Sequence, residues 1–139
     1  MKVLSETIQV HSEGECDIID ITEQLSNAVK ESNIENGNVT IFVSGSTAAI
    51  TTIEYEPGLI HDFPEMLSRI VPKNIKYKHG NTWHDGNGHS HVRSSLIGPS
   101  ITIPIIHSKL TLGTWQQVVL LEMDTRSRDR TLILQIMGE

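Results

Sequence analysis

The chain has 139 residues, a formal net charge of −6 and a pI near 5.6. That length suits one domain with a real core, and a 37% hydrophobic content with only two Phe, two Tyr and two Trp makes the core aliphatic. No block of Lys and Arg exists to track a nucleic-acid backbone, and a single cysteine, Cys16, excludes an intrachain disulfide framework and a Cys-based zinc site.

The N-terminal residues lack the apolar stretch of a signal peptide. No window approaches the roughly 18–20 apolar residues that a membrane span needs. The expectation is a soluble, cytoplasmic protein with no nucleic-acid or membrane partner. Cys16 reads as a small buried hydrophobe rather than a nucleophile.

Residues 2–11 alternate and predict a first strand. Cys16 to Ile21 is short and mixed. Ile21, Leu25, Ala28 and Val29 form the stripe of an amphipathic helix over 21–32, with Glu23 and Lys30 placed to suit its dipole. Val39 to Ser44 is β-branched and continuous, a buried strand. Gly45-Ser46-Thr47-Ala48-Ala49 comes next, small enough for close approach of a ligand or another element. A β-like run over 50–53 ends at Glu54-Tyr55-Glu56-Pro57-Gly58. Helical spacing covers 59–71, and Pro64 predicts that the main helix starts near 63–64.

Strands are expected at 101–106, with Pro104 marking an edge or bulge, at 118–123 and at 132–137. Turns are expected at 107–109 and 124–130. Seven or so strands, two main helices and no regular βαβ rhythm predict an α+β single domain. Its sheet should be mostly antiparallel and curl towards a barrel.

The segment from His84 to Ser95 carries the chemistry. Three of the seven histidines fall there, with Asp85, two glycines, Asn87, Arg93 and three serines, and nothing apolar before Val92. Gly98-Pro99 is a helix stop, so 89–97 reads as a short helix with Asn87 as its N-cap. Free amides there, with Gly88, His89, His91 and Arg93, would attract an anion, phosphate above all. As a strand, His89 and His91 would share a face and suit a metal, with His84 as third ligand.

Phe42 to Ile50, His84 to Ser100, Leu112-Gly-Thr-Trp-Gln-Gln117 and the Arg126/Arg128/Arg130 turn resemble the YjbQ-like family, also called the secondary thiamine-phosphate synthase family. The resemblance spans nearly the whole chain. It implies an antiparallel barrel-like α+β fold, a homotrimer and a site at the His-rich segment. It also implies weak thiamine-phosphate synthase activity, joining a pyrimidine diphosphate to a thiazole phosphate with release of pyrophosphate. One departure is Gly45, where many relatives carry His; a step needing that imidazole would be missing.

These residues allow two chemistries. An enzyme on phosphorylated small molecules would use Arg93, Ser94, Ser95, Asn87, Gly88 and Arg128 on the anion. His89 or His91 would move protons, and Asp85 or Glu54 would hold Mg²⁺. A metal-binding module, storing or hydrolytic, would hold Zn²⁺ with His84, His89 and His91. Glu54 with Glu56 is a paired-carboxylate candidate or a solvated face, and Trp115 stacks on a ring or packs at an interface. Arg126, Arg128 and Arg130 form a solvated turn or a phosphate clamp. His11, His61, His79 and His107 read as structural.

Overall fold

A computed structural model describes residues 1–139. Strands β1 (Lys2–Ser12), β2 (Asp17–Asp20), β3 (Asn36–Val43), β4 (Ala48–Ile53), β5 (Ser100–Ile106), β6 (Lys109–Leu110), β7 (Gln117–Glu122) and β8 (Arg128–Gly138) combine with helices α1 (Thr22–Glu31), α2 (Pro57–Ile70), α3 (His79–Trp83) and α4 (Gly88–Ile97). The fold is α+β and antiparallel throughout. The strands form two sheets, ordered β1-β8-β3-β5-β6 and β2-β7-β4. None of its helices is long and apolar enough to cross a membrane.

β7 explains the layering. Val118 and Leu120 face the space between the sheets, in the main core with Val39, Ile41, Leu132, Leu134 and the α1 residues Leu25 and Val29. Val119, Leu121 and Met123 face the other way, in a second cluster with Leu67 of α2 and Ile97 of α4. A strand buried on both faces reads as an unbroken apolar run. The small sheet is thus sandwiched between the large sheet and a layer formed by α2 and α4.

Most expected elements fall within two or three residues of their predicted bounds, and Pro104 pairs with β3 on one side and on the other only accepts, its carbonyl taking the Thr111 amide at 3.2 Å, as an edge proline should. The start of α2 does not: the helix opens at Pro57, not near 63–64, with Pro64 in its interior. The reason is Glu56, whose carboxylate accepts from the Leu59 and Gly58 amides at 2.6 and 2.9 Å. That supplies an N-cap one turn earlier.

Candidate functional site

The His-rich segment is a helix, not a strand. α3 ends at His84, whose left-handed φ of +58° turns the chain, and Gly86 at φ +68° completes the bend into α4. Asn87 occupies the N-cap position, but its side chain makes no capping bond. Its carboxamide instead lies 2.8 Å from Asp85 and 3.2 Å from His79 Nε2.

The histidines part company. His89 is buried, and its Nε2 meets Glu15 at 2.7 Å; Glu15 also takes the Lys73 ammonium at 2.5 Å. His91 is half-buried with its ring 4.4 Å from that of His79. Asp85 lies 3.4 Å from His79. Burial, and then the neighbouring His79, hold His91 below its ordinary value of 6.5. Its ring is neutral at neutral pH, as a proton acceptor or metal ligand must be. His84 is exposed. His84, His89 and His91 do not converge within one chain. The only three such side chains with ligand atoms within 4.8 Å of one another are His61, Asp62 and Glu65, all exposed. The predicted zinc ligands therefore do not fit a preformed site in a single chain.

Several predicted anion contacts are committed elsewhere. Arg93 donates from Nε to the Val71 carbonyl at 3.0 Å and lies 3.8 Å from Glu15, tying α4 to the end of α2. Gly88 makes room for Tyr77, which packs where a Cβ would stand. Arg128 is held by Asp124 through Nε and Nη2, at 3.0 and 2.6 Å. Glu54, just beyond the far end of β4, lies some six residues, about 20 Å, from the loop that faces α4.

Ser94 and Ser95 are better placed. They line a cavity of about 190 Å³ with His91, Gly45, Ser46, Ala48 and Pro99. Ser95 donates to the His91 carbonyl at 2.9 Å. The Ser94 hydroxyl is buried and has no hydrogen-bond partner, an uncommon and costly state for a polar group. Behind Gly45 stands Arg130. A Cβ on residue 45 would meet Arg130 Nη1 at 2.7 Å, so the missing side chain leaves room for the guanidinium against Gly45, one layer behind the residues that line the cavity.

Arg130 is oriented by a network that the sequence does not announce. Its Nε and Nη2 bond Glu122 at 2.8 and 2.5 Å, and Nη2 also donates to the Thr47 hydroxyl at 2.8 Å. Glu122 is wholly buried, and it accepts from Ser12 at 2.6 Å. Asp124, next along, would be raised by burial, but Arg128, the Thr125 amide, Thr47 and Asn87 hold it at about 2. One signal is present in the sequence: a glutamate inside the run Val118 to Met123 must be paired if the run is buried. Nothing local marks His79. Cys16 is inert, its thiol pushed up to about 11 by burial.

Comparison with known proteins identifies the fold and the family. The family model for the UPF0047 protein YjbQ-like family matches residues 6–139. The chain belongs to that family. A UPF0047 protein of Methanothermobacter thermautotrophicus is 34% identical over 139 residues, covering 100% of this chain and 95% of the relative. A crystal structure of a YbjQ-like protein of unknown function from Sulfolobus solfataricus superimposes with a TM-score of 0.89 at 31% identity, over 99% of this chain and 100% of that one. A family member from Clostridium acetobutylicum gives a TM-score of 0.87 at 34% identity, over 95% and 99%. The fold is therefore the family's.

Proposed function

We propose that this family member binds a small phosphorylated molecule in the cavity between the Gly45–Ala48 loop and α4, and that His91 is its proton-handling group. The observation that carries the reading is Ser94, which lines that cavity and whose hydroxyl, like that of Ser90 one turn earlier on α4, is buried without a partner. A donor kept dry and unpaired is costly in the empty protein and productive once an acceptor arrives. Arg130 Nη1, which makes no hydrogen bond within the chain, adds positive charge behind Gly45. Ser46 supplies a further donor.

Weak thiamine-phosphate synthase activity belongs to the same reading. That step forms a C–N bond from the thiazole nitrogen to the pyrimidine methylene and breaks the C–O bond to the diphosphate, which leaves with the bonding pair. Catalysis then rests on neutralising the departing charge. Arg130, Ser94 and an N–H from His91 serve that need. About 190 Å³ holds a diphosphate but not both rings as well, so the rings would lie at the mouth, against a neighbouring subunit. A homotrimer is part of the proposal. The outer face of the large sheet supports it: Val3, Met137, Ile133, Phe42 and Pro104 alternate there with Ser, Thr, Gln and Asn, and charge is confined to its ends, at Asp129 beside His11 and at Lys109 opposite Ile106.

The test is a synthase assay with calorimetry. His91→Ala is expected to cut turnover at least a hundredfold, in line with the usual worth of a positioned acid or base, roughly 10²–10⁴. Unchanged turnover rejects the synthase. Absence of pyrophosphate binding by the wild type rejects the cavity assignment.

A second reading rests on the His79–His91 pair with Asp85 beside it. These residues offer two imidazoles and a carboxylate, the donor types of an open zinc site, in place of His84 and His89; their ligand atoms do not all lie within 4.8 Å of one another, so an ion would have to draw them together. Bound Zn²⁺ would supply a Lewis acid. Metal analysis of untagged protein, with His79→Ala as control, checks it; a Zn²⁺-induced thermal shift that survives the substitution rejects it.

A further inference from the structure

A groove lies away from this site, between α1 and the β5–β6 hairpin. It encloses about 510 Å³ and is lined by Ser26, Asn27 and Lys30 of α1 with His107, Ser108 and Lys109 of the hairpin, over Leu110 and Leu112. No carboxylate lines it. Lys30, Lys109 and His107 form no ion pair with any acidic side chain. On a chain of net charge −6, two ammonium groups gathered into one concave patch without a carboxylate make a local site for an anion.

The hairpin turn adds a second observation. His107 and Ser108 both hold left-handed backbone, with φ of +52° and +60°. That is the two-residue turn that Asn-Gly fills without strain. A histidine and a serine there cost conformational energy, and such strain collects where side chains are needed. The effect is to hold His107 and Ser108 at the groove beside Lys109.

We infer that this groove is a second binding site, for a small organic phosphate. The two ammonium groups match the charge of a phosphate monoester, close to −2 at neutral pH. Ser26, Asn27 and Ser108 supply hydrogen bonds to its oxygens. Leu110 and Leu112 give an apolar floor on which the organic part rests. The site is independent of the His91 cavity and shares no residue with it.

Amide nitrogen–proton spectra titrated with phenyl phosphate test the inference. The expected result is saturating shifts at Asn27, Lys30, Ser108 and Lys109. Affinity falls at least tenfold in the Lys30→Gln, Lys109→Gln double variant, falls severalfold for inorganic phosphate, which lacks the apolar part, and stays unchanged in His91→Ala. Both lysines are exposed, so the double variant should keep the wild-type pattern elsewhere. Raising the salt concentration on the wild type provides a second measure, because surface ion pairing weakens with screening. The inference is overturned by shifts that do not saturate, by equal affinity in the double variant, by salt-independent binding, or by shifts confined to residues 45–48 and 91–95.

Discussion

At the scale of single residues, Glu122 and Arg130 hold the site in place. Removing one partner leaves the other charge buried and unpaired, which costs about 3–5 kcal/mol. Glu122→Gln should lose that much in urea unfolding, whereas Glu13→Gln on the surface should lose almost nothing. Asp124 gives a pH signature. Its folded value is about 2 against an ordinary 3.8. The stability it contributes is therefore complete above its unfolded value and is lost as pH falls through 4 towards 2. The stability gap between wild type and Asp124→Asn, followed by denaturant unfolding, should close over that range. His91 should titrate below 6.5 by proton NMR. His79→Ala should restore only part of the shift, because burial is the larger cause. The sequence exposes some of this chemistry and hides the rest. His91, Ser94 and Ser95 are legible because they sit in a polar cluster that no core could absorb. His79 is not, and Arg130 shows only as one of three arginines in an expected turn or clamp, not as the buried β8 partner of Glu122, because their partners are distant in the chain: His91, Asp85, Glu122 and Thr47 reach them only through the fold.

At the scale of elements, periodicity is enough for α1, β3, β5, β7 and β8. Their patterns answer to one buried face, or in β7 to two. The boundary of α2 departs from expectation because a carboxylate able to cap the helix outweighs the proline inside it. Glu56→Ala should cost about 1 kcal/mol, the usual worth of an N-cap, and should fray the turn before Pro64. Amide exchange at residues 58–62 would show it. α3 and β2 are short and carry no apolar stripe or alternation, so sequence has little to offer there. α4 is the helix that its stop signal implies, but its N-terminus is covered by Tyr77 and Glu15 instead of open to an anion.

At the scale of the molecule, antiparallel pairing and the α+β class are legible. The division into two sheets is not, because it depends on which strands β7 and β8 choose as neighbours. The outer face of the large sheet, neutral except for Asp129 and Lys109 at its ends, has the makings of a subunit contact, since apolar area with little charge favours association. Phe42→Lys with Ile133→Lys places two charges side by side on paired strands of that face. Light scattering should show the wild type as a trimer and the double variant as a monomer; two trimeric masses would remove this face as the contact, and a monomeric wild type would remove the trimer.

The most direct test concerns Ser94. Its hydroxyl is buried and unpaired, so Ser94→Ala should make the unliganded protein more stable, by about 1–3 kcal/mol, the cost of an unsatisfied buried polar group. Thermal unfolding with and without inorganic pyrophosphate reads both halves of the claim. The account predicts a higher melting temperature for the variant alone and a larger pyrophosphate-induced rise for the wild type. An equal rise in the two proteins, or none in either, would contradict it.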